Sequence, residues 1–213
     1  MIPASSQWSR PSLTSSWRSL ALFALAASTV VSGSGVVAAD GGAGESKAEA
    51  CAACHGEKGV SEIENTPSLA GQPDLFIQWQ LIFFRTGARK NEVMGPIAEQ
   101  LGNDDIRDLG AYFASLKPPD GTSVAALDDH PDLTEVGKKV AAAGRCASCH
   151  GENFAGSKAV ARIAGQHEEY ITKALHDYKS GLRSGGGVAA MAEVAYPLSD
   201  DEITALAHYL ARL

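Results

Sequence analysis

The chain has 213 residues, 45% of them apolar, and a formal charge of −7, which leaves room for one large or two small domains. Its acidic balance makes nucleic acid and anionic membrane surfaces poor candidates as partners. It suits a partner with a basic docking face.

Residues 1–39 do not read as folded protein. They contain Arg10 and Arg18 but no carboxylate, and Asp40 is the first acidic residue. Leu20 to Val31 is largely apolar (LALFALAASTVV) and leads into small residues ending Val37-Ala38-Ala39. A basic head, an apolar stretch and a small-residue end describe an export signal for the periplasm, cleaved after Ala39. A retained anchor is the alternative, but Gly33, Gly35 and the hydroxyl residues from Ser28 to Ser34 interrupt the stretch. Loss of the two arginines takes the formal charge from −7 to −9. No later segment is long and apolar enough to span a bilayer, so membrane contact is expected only through partners.

From residue 40 the elements come in a repeating order. A short helix is predicted over Ser46 to Ala53, running into Cys51-Ala52-Ala53-Cys54-His55. Leu75 to Thr86 has apolar residues at helical spacing and stops at Gly87. A closing helix begins at Asn103-Asp104-Asp105, carries Ile106, Leu109, Tyr112, Phe113 and Leu116, and ends before Pro118-Pro119. Residues 118–133 have the prolines, glycine and charge of a linker. A second short helix over Leu133 to Ala143 leads to Cys146-Ala147-Ser148-Cys149-His150. A last helix begins at Ser199, which forms a capping box with Glu202. No convincing alternating strand is present, so the predicted fold is all-α, with long loops before each closing helix.

The order repeats because the sequence does. Shifted by 94 to 97 residues, Cys51, Cys54, His55 and Gly56 meet Cys146, Cys149, His150 and Gly151. Leu69-Ala70-Gly71-Gln72 meets Ile163-Ala164-Gly165-Gln166. Phe76, Leu81, Phe84, Gly87 and Arg89 meet Tyr170, Leu175, Tyr178, Gly181 and Arg183. Met94 meets Met191, and Tyr112 and Leu116 meet Tyr209 and Leu213. The expected organisation is a signal peptide (1–39), domain 1 (40–117), a linker (118–133) and domain 2 (134–213). Units this small are short of apolar core and need a disulfide, a metal or a cofactor to stay folded.

C-x-x-C-H is the attachment sequence of a c-type haem. A helical turn sets the two thiols at the vinyl groups on one edge of the macrocycle, and the following histidine points at the iron. The competing readings are a redox dithiol, which wants a βαβ context, zinc ligands and a disulfide. Two copies at equivalent places favour covalent haem at Cys51/Cys54 and Cys146/Cys149, with His55 and His150 as iron ligands.

A second ligand is also readable. Besides Met1 the chain has only Met94 and Met191, which lie 39 and 41 residues beyond His55 and His150. A lone methionine usually fills a core gap, but two at matched positions point to Met/His ligation. The rivals His130, His167, His176 and His208 each occur in one half only and read as structural or exposed. Arg89 and Arg183 fit either haem propionates or solvated charges. Tyr112, Tyr209 and Trp79 read as core aromatics. Ser184-Gly185-Gly186-Gly187 reads as flexible backbone near Met191.

These motifs resemble class I cytochromes c, and more closely the dihaem cytochrome c4 family, over about residues 44–213. The resemblance implies two tandem cytochrome c domains, each holding one covalent haem between its N- and C-terminal helices. It also implies a proline carbonyl that accepts a hydrogen bond from the proximal imidazole. Pro67 fits that place in the first half. The second half has Ala161-Arg162-Ile163, which puts the bond in doubt there and implies electronically unequal haems.

Histidine and methionine on both faces leave no open iron position, which favours electron transfer over catalysis. The leading expectation is a carrier between redox proteins such as a quinol-oxidising complex and a terminal oxidase. The alternatives are a haem-bearing subunit of a flavin- or quinone-dependent dehydrogenase, and a dihaem enzyme such as a peroxidase.

Overall fold

Asp40 opens the first helix by accepting a hydrogen bond from the Gly42 N–H, and α1 then runs Gly41–His55. The structure, a computed structural model, describes residues 40–120, 130–184 and 189–213. Within them follow α2 (Asp74–Arg85), α3 (Met94–Glu99) and α4 (Asn103–Ser115). The second half has α5 (Pro131–Ala143), α6 (Ala147–His150), α7 (Glu168–Lys179), α8 (Ala189–Ala195) and α9 (Asp200–Ala211). The described residues contain no strand, only an isolated bridge between Ser157 and Val160. The proposed export signal, part of the linker and the Gly185-Gly186-Gly187 run lie outside the described residues.

The expected helices form, with three differences. The first predicted helix is longer than Ser46 to Ala53 and runs through the whole C-x-x-C-H motif. In the second half the same path breaks after Ala143, where Gly144 weakens the helix and Arg145 turns left-handed at φ 52°. The first half has Glu49 and Ala50 there, both better helix formers than glycine. The loops expected before the closing helices are not structureless, because each contains a short helix, α3 or α8. Ser199 and Glu202 do form the capping box that starts α9, with Glu202 N–H to Ser199 Oγ at 3.2 Å.

Each half is built around one close helix crossing. α1 packs on α4 and α5 packs on α9, while α2 and α7 brace the closing helices from the other side. Both crossings occur at a glycine. A Cβ on Gly44 would lie 2.2 Å from the Asp108 carbonyl oxygen and 2.7 Å from Tyr112 Cβ. A Cβ on Gly137 would lie 2.0 Å from the Ala205 oxygen and 2.6 Å from Tyr209 Cβ. Asp108 and Tyr112 occupy the same repeat positions as Ala205 and Tyr209, so the duplication preserves the crossing itself. Lys47 locks the first crossing from its rim, with Nζ 2.9 Å from Asp105 and 2.7 Å from Asp108.

The cores lie behind these crossings. Ala48, Ile77, Leu109 and Phe113 form the first, and the second gathers around Leu175, Ile203, Leu206 and Leu210. Tyr112 and Tyr209 flank them half-buried, as expected of core aromatics. Trp79 does not: it is 45% exposed and stacks on Phe83 at 5.5 Å. The buried face of α2 runs through Ile77, Gln80 and Phe84, and Trp79 lies off that stripe.

Candidate haem sites

His55 ends α1 and His150 ends α6, so each C-x-x-C-H motif occupies a helical turn. In that turn the cysteines sit three residues apart on one face. Cys51 and Cys146 are half-buried beside their cores, and Cys54 and Cys149 are exposed.

Both imidazoles are buried, each 8% exposed. Nδ1 of His55 lies 2.8 Å from the Pro67 carbonyl oxygen, and Nδ1 of His150 lies 2.8 Å from that of Ala161. A carbonyl only accepts, so Nδ1 carries the proton and Nε2 is left with a lone pair for a metal. Burial holds both imidazoles below their ordinary pKa, against the opposing pull of the carbonyl. Each lone pair therefore stays free of a proton at neutral pH.

The second of these bonds corrects the sequence reading. Absence of a proline at Ala161 does not remove the proximal hydrogen bond, because the acceptor is a main-chain oxygen that alanine supplies equally well. Both imidazoles have a main-chain acceptor at 2.8 Å, so no missing bond makes the two haems unequal.

Met94 is the first residue of α3 and Met191 the third of α8, both half-buried, with Met191 packed against the second core. Asn91 fixes the start of α3 by accepting from the Met94 N–H at 2.8 Å. Two of the rival histidines have other duties. His167 Nε2 reaches the Ser61 carbonyl at 2.8 Å, and His208 is buried with Nδ1 3.3 Å from Glu168. His176 is half-buried on α7, and His130 is exposed with its ring centroid 6.3 Å from that of His208. Among the described residues, no group of three or more His, Cys, Asp and Glu side chains converges as a metal site, which weighs against a zinc cage.

Arg89 and Arg183 are not solvated charges. Arg183 is 6% exposed, and both guanidinium groups donate to Gln80 Oε1, at 2.7 and 3.0 Å. Arg89 also reaches the Tyr170 hydroxyl at 3.1 Å and lies 4.5 Å over the Phe84 ring. Arg183 lies 4.6 Å over Tyr178, and its Nε is buried without a partner. Together the two arginines draw the Tyr170 hydroxyl down to about 8 against the opposing effect of burial. An orphaned buried donor on one of two neighbouring guanidinium groups suits anionic groups such as haem propionates. The residues present therefore fit two haems: paired thiols, an imidazole with a free Nε2 and a thioether in each half, and cations between the halves.

The family model for cytochrome c matches residues 134–213, and that for cytochrome c oxidase, cbb3-type, subunit III, matches residues 38–113. The protein is thus a c-type cytochrome with a haem-binding unit in each half. Cytochrome c4 of Azotobacter vinelandii is 33% identical over 91% of this chain and 98% of its own. The crystal structure of reduced recombinant cytochrome c4 from Pseudomonas stutzeri superposes with a TM-score of 0.75 at 32% identity, covering 83% of this chain and all of that one. The thiosulfate dehydrogenase electron acceptor of Thiomonas intermedia is 32% identical over 78% of this chain and 79% of its own. The chain belongs to the cytochrome c4 family: it binds two covalent haem c groups and carries electrons between redox partners rather than catalysing a reaction.

The sequence reading missed Gln72 and Gln166, both buried. Their signal was visible, since a polar residue closes the same four-residue run in each half.

Proposed function

We propose that Cys51, Cys54, Cys146 and Cys149 carry the thioether links. His55 and Met94 would hold the iron in one half, and His150 and Met191 in the other. Cut near Ala39, the mature chain works in the periplasm, between a quinol-oxidising complex and a terminal oxidase. The domains then span residues 40–117 and 134–213. The observation that supports the ligand set best is the matched pair of buried imidazoles, each with Nδ1 held by a carbonyl 2.8 Å away.

Once bound, each haem supplies a reversible one-electron iron couple. The chain's own residues do the rest. The Pro67 and Ala161 carbonyls hold each imidazole in one tautomer and orientation, and make it a stronger donor to a metal. The thioethers of Met94 and Met191 would favour the reduced state of the group they hold. Buried Arg183 and half-buried Arg89 sit between the halves, where they offset negative charge. With an imidazole and a thioether both committed in each half, small molecules would gain no access, and electrons would enter and leave through protein contacts.

Mixing the reduced protein with a terminal oxidase should oxidise it rapidly, while carbon monoxide should leave its ferrous spectrum largely unchanged. Stoichiometric carbon monoxide binding together with catalytic peroxide turnover would contradict the carrier reading.

A second reading is favoured by the similarity to thiosulfate dehydrogenase electron acceptors: this chain receives electrons from a dehydrogenase that oxidises a sulfur anion. Reduction of the oxidised protein by such an enzyme and thiosulfate, but not by a quinol-oxidising complex, would select it.

A further inference from the structure

The acceptor of each proximal hydrogen bond belongs to a peptide unit whose other end is held by the opposite half. The Pro67 carbonyl and the Ser68 N–H share one peptide group. The carbonyl accepts from His55 Nδ1, and the N–H donates to Gln166 Oε1 at 2.9 Å. The Ala161 carbonyl and the Arg162 N–H share another. That carbonyl accepts from His150 Nδ1, and the N–H donates to Gln72 Oε1 at 3.0 Å. Each glutamine also returns a bond through its amide nitrogen: Gln166 Nε2 to the Ser68 oxygen at 2.9 Å, and Gln72 Nε2 to the Arg162 oxygen at 2.8 Å. Gln72 and Gln166 are 5% and 6% exposed, and Ser68 is 2% exposed.

We infer that Gln72 and Gln166 are positioning residues that tune the haem of the opposite half, each through the peptide group its partner half presents to the proximal histidine. The physical link is polarisation along a chain of hydrogen bonds. A peptide whose N–H donates to an amide oxygen carries more negative charge on its own carbonyl, and so accepts more strongly. The imidazole bound to that carbonyl gains imidazolate character and stabilises the oxidised metal. Low local dielectric strengthens each step, and both histidines, both glutamines and Ser68 are buried.

The arrangement is reciprocal. Gln166, from the second half, acts on His55 in the first, and Gln72, from the first half, acts on His150 in the second. Ser68 and Arg162 are equivalent in the repeat, as are Gln72 and Gln166, so the cross-bracing is generated by the duplication. It ties each haem's proximal side to the docking of the two halves. The inference rests on the assignment of His55 and His150 as ligands.

The test uses the full dihaem protein. Gln166→Leu removes both bonds to Ser68, so the potential of the haem at Cys51/Cys54 should rise while that at Cys146/Cys149 stays in place. Gln72→Leu should give the opposite pattern. In the reduced protein the Nδ1–H resonance of the affected histidine, His55 or His150, should move as its hydrogen bond weakens. Gln166→Glu covers the case in which the leucine variant fails to fold. Its protonated carboxyl can reproduce both bonds, and its ionised form is a stronger acceptor. The haem of the first half should then acquire a potential that falls as pH rises.

A change confined to the haem of the mutated half overturns the inference. So do ring-current-shifted histidine resonances and potentials that stay put in every variant. Histidine resonances at His55 and His150 with no ring-current shift would instead overturn the ligand assignment beneath it.

Discussion

Nδ1 of His150 and the carbonyl oxygen of Ala161 lie 2.8 Å apart, the same separation as His55 and Pro67. A main-chain oxygen supplies the proximal bond in both halves, so proline is dispensable for it. Pro67→Ala should therefore leave the potential of its haem nearly unchanged. The cost should be about 0.4–1 kcal/mol of stability, through greater freedom of the unfolded chain. Potentiometry and denaturant unfolding of the variant check both statements.

Replacing Met94 or Met191 with alanine opens one iron position. Each single variant should lose the sulfur-to-iron charge-transfer band of one haem, lower that haem's potential and gain carbon monoxide binding at that haem alone. Variants that both keep the parent's ferric spectrum would hand the ligand role to a histidine.

The helix crossings leave no room for a side chain at Gly44 or Gly137. Alanine at either place drives a methyl into backbone of the facing helix and should cost about 1–3 kcal/mol or more. The loss should be confined to the half that carries the change. Denaturant unfolding followed at the separate haem signals distinguishes the halves.

Acid should weaken the first crossing more than the second. Asp108 is held below its ordinary pKa by the Asp40 N–H and then by Lys47, and Asp105 by Lys47 and then by the Gly102 N–H. Carboxyls with depressed native values contribute stability above the unfolded carboxylate pKa of about 4, and that contribution is lost as pH falls through the native values. The second half has Ala205 at the place of Asp108. Lys47→Met should therefore lower stability at neutral pH and change little once both carboxyls are protonated. An acid titration of unfolding, parent against variant, measures the difference.

Much of this was readable from residues alone. The duplication exposed the two C-x-x-C-H motifs, the paired methionines and the closing helices, because each rests on local spacing. The short helices α3 and α8 were missed for a physical reason. Met94–Glu99 is six residues with a glycine and a proline, and packing against α2 supports it. The proximal bond at Ala161 was hidden because a backbone acceptor leaves no trace in side-chain identity. The burial of Arg183 and the contacts of Arg89 were equally hidden, since they arise where the two halves meet through Gln80 and Tyr170. Trp79 misled because its size suggested a core residue, whereas its helical phase placed it outside.

The central claim is that each half carries one covalently attached haem. Mass spectrometry of the exported protein under denaturing conditions measures this directly, since thioether links survive unfolding. The account predicts a polypeptide beginning near Asp40 with two haem additions. A mass equal to that of the bare chain, with free thiols or disulfides at Cys51, Cys54, Cys146 and Cys149, would contradict it.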